Sequence, residues 1–224
     1  MKIKVFTDKK FKDVNGYLVY NEQNLAILID TANENYVEVL KFTKQNNIKI
    51  TDIFITHGHF SHIFGINEIV NVHNPKNVFV GKDDLLMLFD ADKNTSSFYD
   101  IENERWVPDP IKNLKVLEGL NKFQINNFNI STMPFLGHTE GSILIVFPNE
   151  KTIFSGDSFF LKKNTLQIFA GNYDEKTFVK NVKFLLKNYP RDFKIYPGHF
   201  EYDFTSNDLL NKNEYIKKNI FKFE

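Results

Sequence analysis

The stretch Thr56-His57-Gly58-His59-Phe60-Ser61-His62 constrains the fold of this 224-residue chain more than any other. It follows the apolar run Ile53-Phe54-Ile55 and precedes a segment with helical spacing, which predicts a turn leaving a buried strand. Three imidazoles within six residues of such a turn face one small volume, and near neutral pH they are mostly uncharged lone-pair donors. That is a metal-binding arrangement. The chain contains no cysteine, which excludes disulfides, thiolate ligands and a cysteine nucleophile. Any metal must therefore be held by nitrogen and oxygen.

The segments before the histidines set their place in a sheet. Residues 2–6 alternate in polarity, and residues 17–20 and 25–29 are short β-type runs, so the chain opens as a meander. Asp30-Thr31-Ala32-Asn33 is a polar turn, and Tyr36, Val37, Leu40 and Phe42 then give a roughly helical spacing up to Asn47. Residues 48–55 return to strand character. Strand, helix, strand predicts parallel pairing through a crossover helix, with the histidine turn at the carboxyl edge where open α/β sheets bind ligands.

Beyond the turn, Ile63, Phe64, Ile66, Ile69 and Val70 predict one short helix, and residues 78–80 a strand. Residues 82–110, with a helical block at 85–89, read either as an excursion over the site or as an ordinary surface loop. A second sheet is predicted from 114–117, 122–125, 128–133, 142–147, 152–154 and 193–196, with helices over 174–189 and 207–220.

Apolar residues make up 42% and include 24 Phe, enough for the core of a single domain over residues 1–224. Lys plus Arg equals Asp plus Glu at 28 each, and no run of like charge stands out, so no nucleic-acid partner is expected. The first residues lack the apolar block of a signal peptide, and no stretch approaches the roughly eighteen apolar residues of a membrane span. The expectation is a cytoplasmic protein with no membrane partner. Oligomeric state is not legible.

Three further groups leave predicted strand ends: His138 in Gly137-His138-Thr139-Glu140-Gly141-Ser142, Asp157 in Ser155-Gly156-Asp157-Ser158, and His199 in Pro197-Gly198-His199-Phe200. The neighbouring glycines suit a backbone that comes close to a ligand. His73, beside Asn74-Pro75, is expected to be a solvated loop residue and not a ligand.

Together with Asp30 after its strand, these motifs resemble the metallo-beta-lactamase superfamily, and within it the short hydrolases similar to glyoxalase II. The resemblance implies an α+β fold, a four-layer αββα sandwich of two mixed sheets with helices on the outer faces and metals at one edge. It implies a first metal site of His57, His59 and His138, and a second of His62 and His199, with Asp157 shared. The family places an aspartate where this chain has Ser61. A neutral hydroxyl removes a charge and a strong oxygen ligand, so the expectation is one tightly held Zn2+ and a weakened second site, with Fe or Mn as alternative metals.

Three neutral imidazoles leave most of the cation's charge free to acidify a bound water to a pKa of about 7, so hydroxide is available to attack a small ester or thioester. Asp157, with Ser61, would orient that nucleophile. The short segment after His199 and the presence of only two arginines, Arg105 and Arg191, argue against dedicated glutathione recognition and a bidentate carboxylate clamp. The alternatives are an iron persulfide dioxygenase-like enzyme using the first site alone, and a degenerate metal-binding member without activity.

Overall fold

The structure is a computed structural model, and it describes residues 1–98, 105–162 and 175–219. Two six-stranded mixed sheets dominate it. The first runs in the order β1 (Lys2–Asp8), β2 (Val14–Tyr20), β3 (Leu25–Ile29), β4 (Lys49–Phe54), β5 (Asn77–Gly81) and β6 (Leu114–Leu117). Its first three strands are antiparallel, and β3 to β6 are parallel. The second contains β7 (Asn121–Ile125), β8 (Phe128–Pro134), β9 (Ile143–Phe147), β10 (Thr152–Gly156), β11 (Lys194–Pro197) and β12 (Phe204–Thr205), in reverse spatial order. Within it only β10 and β11 are parallel.

Strand periodicity explains the layers. In β9, Ile143, Ile145 and Phe147 enter the core between the sheets, while Leu144 and Val146 enter an outer core. The same division in β3 sends Ile27 and Ile29 inward and Ala26 and Leu28 outward. Successive side chains on a strand face opposite sides, so a strand buried on both faces must be apolar throughout. The crossover helix α1 (Tyr36–Gln45) covers the first outer face through Val39 and Leu40. On the second, α4 (Glu175–Asn188) contributes Val179, Val182 and Leu185. The αββα sandwich expected from the resemblance is what the chain adopts.

Some local expectations differ from the structure. The single helix predicted after the histidine turn is two, α2 (Phe60–Ile63) and α3 (Ile66–His73). Gly65 separates them because its N–H is drawn to Thr31 Oγ1 at 3.1 Å. The helix predicted over 207–220 also divides, into α5 (Ser206–Lys212) and α6 (Glu214–Asn219). Asn213 makes the break: its Nδ2 donates to the Phe160 carbonyl, and its Oδ1 accepts from the Ile216 N–H. Ile220 lies outside the described residues, as does Asp174 at the start of the other predicted helix.

His73 is the last residue of α3 and not a solvated loop residue. Its Nδ1 accepts from the Ile50 N–H at 3.3 Å, so Nε2 carries the proton and donates to Thr43 Oγ1 at 3.1 Å. It ties α3 to β4 and α1.

Candidate metal centre

His57 and His59 leave β4, and His59 is the extended residue from which α2 starts. His62 follows in the single turn of α2. His138 lies between β8 and β9, Asp157 follows β10, and His199 follows β11 by two residues. The sandwich thus brings all six to one edge. Gly198 shows how tightly they pack: a Cβ there would stand 2.1 Å from Asp157 Oδ1 and 2.7 Å from His62 Cε1.

His138 Nε2 lies 3.2 Å from His57 Nε2 and 2.8 Å from His59 Nδ1. Asp157 Oδ2 is 3.5 Å from Nε2 of both His138 and His199, and 4.0 Å from His57 Nε2. His62 Nε2 is 3.5 Å from Asp157 Oδ1. Two atoms that share a tetrahedral zinc at about 2.0–2.1 Å stand roughly 3.3 Å apart, which is the spacing seen here.

Hydrogen bonds behind the imidazoles set their tautomers. The Asp30 carboxylate can only accept, so His62 Nδ1 donates to Oδ2 at 2.9 Å and its Nε2 keeps a lone pair. The Thr56 hydroxyl also donates to Asp30 Oδ2, at 2.7 Å. Its oxygen therefore accepts from His57 Nδ1 at 3.1 Å, which leaves the lone pair of that ring on Nε2. His199 Nδ1 donates to the Lys12 carbonyl at 2.8 Å, with the same result. Such outer partners orient a ligating histidine and raise its basicity.

Charge follows the same logic. Burial, with the neighbouring imidazoles, holds His57 and His138 well below the ordinary histidine range and His59 and His199 down to about 3. All four are neutral at pH 7. Burial also opposes charge on His62, but Asp157 and Asp30 outweigh it and raise its pKa. Burial pushes Asp157 up to about 7 against the pull of His62.

Both oxygens of Asp157 are buried and accept no hydrogen bond among the described residues, and His62 Nε2 is likewise unpartnered. A buried carboxylate without donors is costly unless a cation satisfies it. Two overlapping groups have ligand atoms close enough to hold one: His57, His59 and His138, and His57, His62 and Asp157. The donor set is nitrogen and carboxylate oxygen, and it fits a divalent cation.

Ser61 is buried on α2 between His59 and His62. Among the described residues its hydroxyl makes no hydrogen bond to Asp157 or to an imidazole. Three other residues were less legible. Asp30 is legible as a polar-turn residue and as part of the family pattern, Thr56 only as the residue before the histidines, and Asp84 not at all. Asp84 accepts from the Gly58 and Gly141 N–H groups and from Thr139 Oγ1. Its signal was an acidic pair, Asp83-Asp84, just beyond a strand on the ligand-bearing edge. The 82–98 segment lies against the histidine turn and not in a loop apart from it: besides Asp84, the Asn94 carbonyl accepts from the Phe60 N–H at 2.7 Å.

Comparison with known proteins bears on the family and the fold. A probable metallo-hydrolase of Streptococcus pyogenes is 26% identical over 189 residues, 83% of this chain and 78% of the relative. A hydroxyacylglutathione hydrolase of Pelagibacter ubique is 27% identical over 190 residues, 84% of this chain and 67% of the relative. The fold is similar to that of BLEG-1, a B3 metallo-beta-lactamase, with a TM-score of 0.83 at 20% identity over 96% of this chain and 99% of that one. A sequence model of the metallo-beta-lactamase superfamily matches residues 10–211, and the chain belongs to that superfamily.

Proposed function

We propose that the chain is a metal-dependent hydrolase of a small ester or thioester, with zinc as its cation. The observation that carries this is Asp157: a buried carboxylate that accepts no hydrogen bond among the described residues and faces the Nε2 atoms of His62, His138 and His199 at 3.5 Å. His57, His59 and His138 would hold the tighter cation, and His62, His199 and Asp157 a weaker one. Bound there, a divalent cation lowers the pKa of a water toward about 7 and stabilises a developing oxyanion. Asp157 Oδ2 can accept a hydrogen from the attacking water and so aim its lone pair at the acyl carbon. The centre needs no side-chain nucleophile.

The acyl class is supported by the name of the Pelagibacter relative, a hydroxyacylglutathione hydrolase. Neither arginine contributes a clamp, since Arg105 is exposed and paired with Asp92 while Arg191 is exposed. A small acyl substrate fits that better than a polyanion. The test is turnover: the metal-loaded protein is screened against thioesters, lactones and phosphoesters. Thioester or ester cleavage that His59→Ala abolishes is expected, and no such turnover refutes the assignment.

Ser61 favours a second reading. With one cation at His57, His59 and His138, iron in place of zinc would make a persulfide-oxidising enzyme, recognised by oxygen consumption with a persulfide and none with a thioester.

A further inference from the structure

We propose that Asp84 is a positioning residue of the metal centre, holding the His57–His59 turn and the His138 turn at the separation that one cation requires. This rests on the reading that those three imidazoles hold a metal. The two turns come from different sheets, and Asp84 comes from neither, lying just beyond β5. Its Oδ2 accepts from the Gly58 N–H at 2.8 Å, between the first two histidines. The same oxygen accepts from Thr139 Oγ1 at 2.7 Å, adjacent to His138, and Oδ1 accepts from the Gly141 N–H at 2.9 Å. One further backbone bond joins the turns, from the Ile143 N–H to the Thr56 carbonyl at 2.9 Å. That bond is made at the first residue of β9 and leaves the hydroxyls of the His138 loop without a directional demand.

Asp84 does carry one. A carboxylate only accepts, so the Thr139 hydroxyl must point its hydrogen at Asp84. Its oxygen then accepts from the Ser142 hydroxyl at 2.6 Å, and Ser142 Oγ accepts from the Thr139 N–H at 3.1 Å. The polarity of the whole loop follows from the charge on Asp84. Space is as restricted as polarity. A Cβ on Gly141 would stand 2.2 Å from the Asp84 nitrogen, and one on Gly81 would stand 2.0 Å from the Gly141 oxygen. Asp84 itself is 1% exposed. Neither a longer nor a displaced carboxylate can keep all three bonds.

Metal–ligand distances stay within about 0.2 Å of their standard values, so a loosened link between the turns is expected to weaken the hold on the cation. Asparagine is the diagnostic replacement. It has the shape of aspartate but sets an NH2 against a donor, either the Gly141 N–H or the pair from Gly58 and Thr139.

The test uses the full chain, stripped of metal, with zinc affinity read by competition with a chromogenic chelator, cobalt coordination read by its visible absorption, and the metal-free thermal midpoint as a control. Asp84→Asn is expected to weaken the tighter zinc site about 10- to 100-fold and to change the cobalt spectrum. Thr139→Ser should keep wild-type affinity and Thr139→Val should lose part of it. Adding Thr139→Val to Asp84→Asn should cost little more, because both act through one link. A lowered thermal midpoint with unchanged zinc affinity and cobalt spectrum means a merely structural residue and overturns the proposal. If Asp84→Asn does not fold, Thr139→Val decides, and wild-type affinity in that variant overturns it. Wild-type protein that holds no zinc overturns the metal reading and this one together.

Discussion

Asp30 and His62 form a buried pair in which Nδ1 of the imidazole lies 2.9 Å from Oδ2 of the carboxylate, with both side chains essentially inaccessible to solvent. The same carboxylate accepts from the Thr56 hydroxyl and, at 2.8 Å, from the Thr56 N–H. Asp30 therefore decides the tautomer of His62 directly and that of His57 through Thr56.

Asp30→Asn should accordingly weaken the metal centre. The amide has one accepting oxygen where the carboxylate has two, so at least one buried donor loses its partner at a cost of about 1–3 kcal/mol. Zinc affinity should fall about 10- to 100-fold. Urea unfolding of the metal-free protein measures the first effect and chelator competition the second; unchanged values for both would remove Asp30 from the account.

Ser61→Asp should raise the occupancy of the second site. The wild-type protein, purified without added metal, is expected to carry one equivalent by elemental analysis, and the variant to approach two. Two equivalents held equally well by both proteins would show that Ser61 does not limit the second site.

Chelation should lower the thermal midpoint. Zinc at a hundred times its dissociation constant stabilises the folded state by about 2.7 kcal/mol, or roughly 5–11 °C for a chain of this size. Differential scanning fluorimetry with zinc and with excess EDTA makes the comparison, and coincident midpoints would contradict a metal centre in the folded protein.

The metal-free protein should lose stability in acid. His59 and His199 are held down to about 3, and His57 and His138 are lowered too, while an unfolded histidine titrates near about 6.5. Between those values the unfolded chain binds protons that the folded chain refuses, so stability rises with pH across that window and levels off above it. Asp157, raised from 3.8 to about 7, acts in the opposite sense, because the folded chain there holds the proton more tightly, while His62, also raised, does so only above about 6.5. Between pH 4 and 6.5, four imidazoles therefore oppose one carboxylate. Urea midpoints measured in chelator should be higher at pH 6.5 than at pH 4, and the reverse order would contradict the assignment of neutral imidazoles.

Much of the sandwich was legible because its strands are short, apolar and bounded by polar turns. The 25–29 and 114–117 runs match β3 and β6 residue for residue, but 114–117, expected in the second sheet, pairs in parallel with β5 at the edge of the first, because a single short strand carries no signal of its partner. What was not legible is where side chains interrupt a helix. Apolar spacing continues through Phe64 and Ile66 and again from Leu210 to Ile216, but Thr31 and Asn213 form bonds there that end the helices. No local pattern carries the partner of a long-range hydrogen bond. His73 was misjudged for the same reason: Thr43 and Ile50, which hold it, lie 30 and 23 residues away. Among the described residues, no helix is long and apolar enough to cross a membrane.

The chain by itself determined which side chains could meet a metal, since five histidines and one aspartate follow strand ends and no cysteine competes with them. Strand periodicity determined the layers, because a run buried on both faces leaves no alternative. Only the tertiary structure decided which nitrogen carries the lone pair in His57, His62 and His199, and which groups hold the two histidine turns in place. The tautomers rest on Asp30, Thr56 and the Lys12 carbonyl, and the placement of the turns on Asp84; of these, Thr56 alone is a chain neighbour of the ring it orients, the others reaching residues remote in sequence. A hydrogen bond is specified by distance and direction in space, and sequence spacing carries neither.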